Sequence, residues 1–233
     1  MSKRVAMLAA LSLLCAGHGW ALAADSKAHA AKRFATATVR SEQNATDGDF
    51  EVVFEARGGD DGLAKLTVVS PDGRTVIDFT ASGASRLGMR QFRFESPEPT
   101  DIASLKAGYP EGVYTFDGAT AAGQRYHGTA RLTHALPAPV SLLHPRGSAH
   151  SVSAADLTIK WTPVRNLAAY VLELEQEETG SNLTVRLPST ASTFAVPQGF
   201  LVPGKPYRLG IGTVTKGGNA SFVETEFRTA PRK

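Results

Sequence analysis

The sequence predicts an all-β chain of two tandem β-sandwiches behind a cleaved signal peptide. Three observations predict it. Apolar and polar residues alternate with period two, and turn-forming clusters interrupt that alternation at short intervals. A proline-punctuated break then divides the chain into two lengths of about 100 residues, the usual size of one sandwich.

Residues 1–23 have the build of a secretory signal peptide. Lys3 and Arg4 precede an apolar run from Val5 to Ala16, and Ala21-Leu22-Ala23 supplies the small residues an export peptidase needs before a cut after Ala23. The run is too short to span a membrane. Leu14 stands before Cys15 where a lipoprotein signal has Gly, Ala or Ser, so a lipid anchor is not expected. Cutting after Ala23 also removes the only cysteine. The mature chain is therefore expected to hold together on core packing alone in an oxidising compartment, a bacterial periplasm or cell exterior. Asn44, Asn182 and Asn219 begin N-x-Ser/Thr triplets, which in that setting are read as chance matches.

Residues 24–32, "ADSKAHAAK", are small and polar and read as a flexible lead-in. The first sandwich is expected over 33–136. In "QFRFES", Phe92 and Phe94 share one face while Gln91, Arg93 and Glu95 share the other. One helical turn is expected around Asp101 to Lys106. At "LPAPV", Leu136 to Val140, two prolines make a short extended connector that cannot continue a strand ladder. The second sandwich is expected over 137–233. There Leu157, Ile159 and Trp161 face one way, as do Tyr170, Leu172 and Leu174. Turns are marked by "GGDDG" at 58–62, "PDG" at 71–73, "TGSN" at 179–182 and "KGGN" at 216–219.

One device occurs twice. Pro110-Glu-Gly-Val-Tyr114 and Pro203-Gly-Lys-Pro-Tyr207 each lead from a proline–glycine turn into an alternating strand, one hairpin before the end of its half. A tyrosine there can lie in the core and bond its hydroxyl back to the loop backbone, which pins the corner of a sandwich. With Trp161 in "LTIKWTPV", Tyr170 opening "YVLELE" and the closing "SFVETEFRT", residues 137–230 resemble a fibronectin type III domain. The first half is similar to bacterial immunoglobulin-like sandwiches through "PEGVYTFDGATAAGQRYHGTARLTH". The whole chain resembles exported bacterial proteins known only by their fibronectin type III domains. That resemblance implies fold and address and supplies no catalytic residues. It also implies that Trp161, Tyr170, Tyr114 and Tyr207 are structural.

The bulk charge argues against nucleic acid as a partner. Lys and Arg number 25 and Asp and Glu 22, and removing Lys3 and Arg4 leaves 23 against 22. Phosphate binding wants a concentrated basic surface instead. Chemistry is equally sparse. Ser85 in "GASRLG" lacks the spacing of a nucleophile elbow. His127, His134, His144 and His150 gather near the break without metal-ligand spacing and read as solvated or interdomain histidines. Glu173 and Glu175 alternate with leucines as the wet face of a strand. "ESPEPTD" and Asp47-Gly-Asp49 read as solvated turns, as do Glu111 and Asp117. "GIG" at 210–212 sits mid-strand and is not a nucleotide fingerprint.

No enzyme activity, cofactor or metal is expected. Tyr109, Phe200, His127 and His144 remain as candidate binding residues. The function expected is a non-catalytic structural or protein-interaction role in the bacterial envelope, with a protein or glycan partner. The alternative is a glycan-binding accessory module of a polysaccharide system.

Overall fold

The computed structural model describes residues 30–81, 88–99 and 101–232. The signal peptide, Ser85 and most of the lead-in lie outside the described residues. The first half contains β1 (Lys32–Arg33), β2 (Thr36–Asn44), β3 (Asp49–Arg57), β4 (Lys65–Val69), β5 (Thr75–Thr80), β6 (Gln91–Glu95), α1 (Ile102–Gly108), β7 (Gly112–Ala119) and β8 (Arg125–Leu132). The second contains β9 (Leu142–His144), β10 (Ala149–Val152), β11 (Thr158–Trp161), β12 (Ala169–Gln176), β13 (Ser181–Pro188), β14 (Thr193–Ala195), β15 (Pro206–Val214) and β16 (Ala220–Thr229). Lys32, assigned from sequence to the lead-in, instead pairs with Tyr126 in β1, so the strand ladder starts one residue earlier than expected.

The chain is all-β apart from α1, which Asp101 starts by accepting the Ser104 amide at 2.7 Å. The two halves share one wiring. Leaving aside β1 and β10, the first, second and fifth strands of each half form one sheet, and the third, fourth, sixth and seventh form the facing one. β1 and β10 each run parallel to the seventh strand of their half, β8 and β16. Each half closes over its own core. Phe54, Leu66, Val68, Tyr114 and Phe116 anchor the first, and Trp161, Tyr170, Leu172, Leu174 and Leu209 the second. Burying each such side chain contributes roughly 1.5–3 kcal/mol.

The halves are not separate beads on a proline string. β16 pairs in parallel with β2, placing Ala220 beside Glu42, Ser221 beside Gln43 and Phe222 beside Asn44. A single sheet in the order β13-β12-β15-β16-β2-β3-β6 therefore runs through both sandwiches. The expectation that the prolines end every ladder holds for the linker strand alone, because the ladder crosses between halves on strands distant in sequence.

The linker is held by side chains rather than by a ladder. Asn219, 4% exposed, donates from Nδ2 to the carbonyls of Thr133 (2.9 Å) and Ala135 (2.8 Å). Ser221 Oγ donates to the Pro137 carbonyl at 2.7 Å, and Thr213 Oγ1 to the Ala138 carbonyl at 2.9 Å. Residues 133, 135 and 137 point their carbonyls the same way, as the period of an extended chain requires. Proline at 137 has no amide to leave unpaired, which suits a segment bonded only through its carbonyls.

A groove over the shared sheet as the candidate functional site

The outer face of the shared sheet carries a groove of about 730 Å³ lined by both sandwiches. Its first-half wall comes from outward positions of β2, β3 and β6, set by register: Arg40 beside Val53, Val53 beside Glu95, and Glu55 beside Arg93. Val53 lies in the outward row yet is 0% exposed, because charged side chains roof it. Arg93 reaches Glu55 at 2.9 Å and Glu95 at 2.5 Å, while Arg40 reaches Glu55 at 3.1 Å. Burial works against the Arg40 charge, but Glu42 and Glu55 outweigh it and raise its pKa. Burial likewise pushes Glu55 up, and its hydrogen bonds to Arg40 and Arg93 bring it below the ordinary carboxylate value.

The second-half wall is bare in its middle. Gly210 and Gly212 leave a floor without side chains, and the Phe222 ring lies over Gly212. A Cβ at 212 would sit 2.5 Å from Phe222 Cε1. The "GIG" glycines thus make room for an aromatic ring. Glu173 and Glu224 flank Gly210, Arg186 stands on β13, and Lys216 stands on the turn after β15. Burial first, then Glu95 and Glu42, push Glu51 up to about 7, with Arg93 opposing. Glu173 is raised by burial, then by Glu224 and Glu42.

The residues expected to bind are placed elsewhere. Tyr109 is half-buried against Phe54, ring centroids 5.7 Å apart, and its carbonyl contacts His134 Nε2 at 2.9 Å. It is part of the first core, not an open loop aromatic. Phe200 is half-buried against Tyr207 at 6.4 Å in the second core, for the same reason: an aromatic just ahead of a corner folds back onto it. His127 is exposed on β8, with Nδ1 2.9 Å from Asp117. His144 is exposed on β9 opposite Lys160. His134 is not solvated, since its side chain is only 9% exposed. Among the described residues, no three of His, Cys, Asp or Glu come together in a way that could hold a metal ion.

The tyrosines form corners. Tyr207 Oη accepts the Val202 amide at 2.7 Å, and Tyr114 Oη donates to the Pro110 carbonyl at 3.0 Å. Tyr170 Oη accepts the Val164 amide at 2.7 Å, a third such pin, and its ring meets Trp161 edge-on at 5.5 Å.

No protein-family profile matches the chain, and no curated protein matches it. Among solved structures it is similar to a two-domain fibronectin type III segment of chicken tenascin, with 15% identity, 85% of this chain and 100% of that one covered, and a TM-score of 0.33. It is also similar to fibronectin(III)-like modules of Clostridium thermocellum CbhA, with 10% identity, 89% and 93% covered, and a TM-score of 0.35. The FN1–FN3 domains of chicken CNTN1 align at 15% identity, 84% and 67% covered, and a TM-score of 0.32. These neighbours are fibronectin type III domains. At those scores they carry nothing about function, and the fold rests on the strand pairings of this chain.

The groove itself was missed from sequence. Its residues come from both halves and read singly as wet strand faces. The one available signal was the doubled alternation of Arg40, Glu42, Glu51, Glu55, Arg93 and Glu95 on three successive strands of one sheet.

Proposed function

We propose that the chain is an exported, non-catalytic interaction module of the bacterial envelope that presents a protein partner with the groove over its shared sheet. The observation that carries this reading is the joint. Two sandwiches locked through Ser41, Asn219 and Ser221 hold the two walls of one mixed-charge groove at fixed geometry. A preorganised surface loses less free energy on binding than one that must first be ordered. Charged walls favour a partner of complementary pattern.

The glycan reading has less support. A sugar platform wants exposed aromatic faces, and the large exposed hydrophobics among the described residues are Met89, Ile102, Val113, Leu143 and Val202. Export rests on the sequence of residues 1–23 alone.

The test is affinity capture from the native envelope using the wild-type chain and an Arg186→Glu/Lys216→Glu variant, with a glycan array beside it. A protein recovered by the wild type and lost with the variant is the expected result. Recovery of a specific sugar with no protein overturns the reading, and so does a protein captured equally by both chains.

A further inference from the structure

The centre of the groove lies across the joint between the sandwiches. Glu42 sits on β2, with Ala220 of β16 on one side and Glu51 of β3 on the other. On the far side of the joint, Glu173 and Glu224 close over Gly210, where a Cβ would meet Glu173 Cβ at 3.8 Å and Glu224 Cγ at 4.0 Å. Two carboxylates from each sandwich thus line one space. Like charges directly opposite on neighbouring strands destabilise the pairing, as Glu42 and Glu51 are placed to do.

The neighbouring cations leave this cluster under-compensated. On β2 and β6, Arg40 and Arg93 are engaged by Glu42, Glu55 and Glu95. Arg186 on β13 and Lys216 on the β15–β16 turn line the groove but make no ion pair among the described residues. Asp49 at the start of β3 and Glu175 on β12 add negative charge. Arg208, opposite Glu175 on β15, is bonded to Glu177.

We propose that the joint is proton-responsive: protonation of the carboxylates that face one another across β2 and β16 tightens the two sandwiches together, and their ionisation loosens them. The geometry alone sets this direction, because the repulsion is between strands that the joint pairs or adjoins. The titration agrees with it. Glu51 is pushed up to about 7 from 4.5, and Glu173 is raised in part by Glu42 from the other sandwich. A carboxyl whose pKa is higher in the closed state holds its proton more tightly there. The closed state therefore loses stability as pH rises from the ordinary Glu value toward about 7.

Amide hydrogen exchange on the full mature chain tests this. Ala45 donates its amide to the Phe222 carbonyl across the joint at 2.7 Å, so its protection reports joint opening. Protection is read relative to core amides of β7, after correcting for the intrinsic pH dependence of exchange. The expected result is relative protection about tenfold greater near pH 5.5 than near pH 8, the equivalent of one pKa unit of coupling. A Glu51→Gln/Glu173→Gln variant, with two of the four charges removed, is expected to keep the tighter value at both. Equal relative protection at the two pH values in the wild type overturns the proposal. So does an undiminished pH dependence in the variant, or a variant that is loose at both.

Discussion

Asn219 Oδ1 accepts the Ser41 amide at 3.0 Å, a bond between residues 178 positions apart. One side chain thus holds β2, the turn before β16 and the linker at once, since its Nδ2 serves the carbonyls of Thr133 and Ala135. Replacing it by alanine leaves several buried groups unpaired, each costing about 1–3 kcal/mol. Asn219→Ala is expected to turn one coupled unfolding transition into two, with a larger radius of gyration by small-angle scattering. A single transition at the wild-type midpoint would remove the joint from the account.

The two corner tyrosines are bonded with opposite polarity. Loss of the Tyr207 hydroxyl orphans an amide, whereas loss of the Tyr114 hydroxyl orphans a carbonyl, which is the more tolerated defect. Tyr207→Phe and Tyr114→Phe are each expected to lower stability by about 1 kcal/mol or more, Tyr207→Phe by the larger amount. Denaturant unfolding of the two variants measures both. The reverse order would contradict the polarity argument.

Gly210 and Gly212 differ by what covers them. A methyl at 210 meets only ordinary contacts at 3.8 Å and 4.0 Å, while one at 212 meets the Phe222 ring at 2.5 Å. Gly212→Ala is expected to cost about 1–3 kcal/mol as overpacking. Gly210→Ala is expected to lie near the wild type. Thermal melts of the pair provide the check, and equal effects would argue against the ring's placement.

Arg93 should show its role through pH. Arg40 and Arg93 hold Glu55 below its ordinary value despite burial, so that stabilisation is present above the ordinary carboxylate pKa and is lost as pH falls through the lowered one. Arg93→Gln is therefore expected to be destabilised more at about pH 7 than at about pH 3, where the carboxylates are largely neutral. Urea titrations at the two pH values read the difference. An equal deficit at both would make Arg93 a packing residue over Val53.

Strands and corners were legible because their signals are local. Period-two alternation put Phe92, Ile159, Trp161 and Leu172 inside, and the spacing from proline to tyrosine marked both corners. The joint was not legible. Ser41, Ser221 and Asn219 are the residue types that turns and wet faces use, and only their partners, distant in sequence, bury them. Asn219 in particular sits in "KGGN", where Gly218 at φ +97 makes the turn and the asparagine is free to face inward. Tyr109 and Phe200 misled for a related reason. An aromatic on a loop looks available until the corner beside it supplies a surface to cover.

The parallel pairing of β2 with β16 also determines how the chain bears load. β2 opens the first sandwich and β16 closes the second, and the two run in the same direction. Tension applied at Ala30 and Arg232 would pull the start of one strand and the end of the other in opposite senses along their length. The cross-joint bonds, Ala45 to Phe222 and Thr46 to Glu224 among them, would then be sheared together rather than peeled one at a time. Such a joint resists stretching as a clamp does, and the two sandwiches would part only after it fails as a whole.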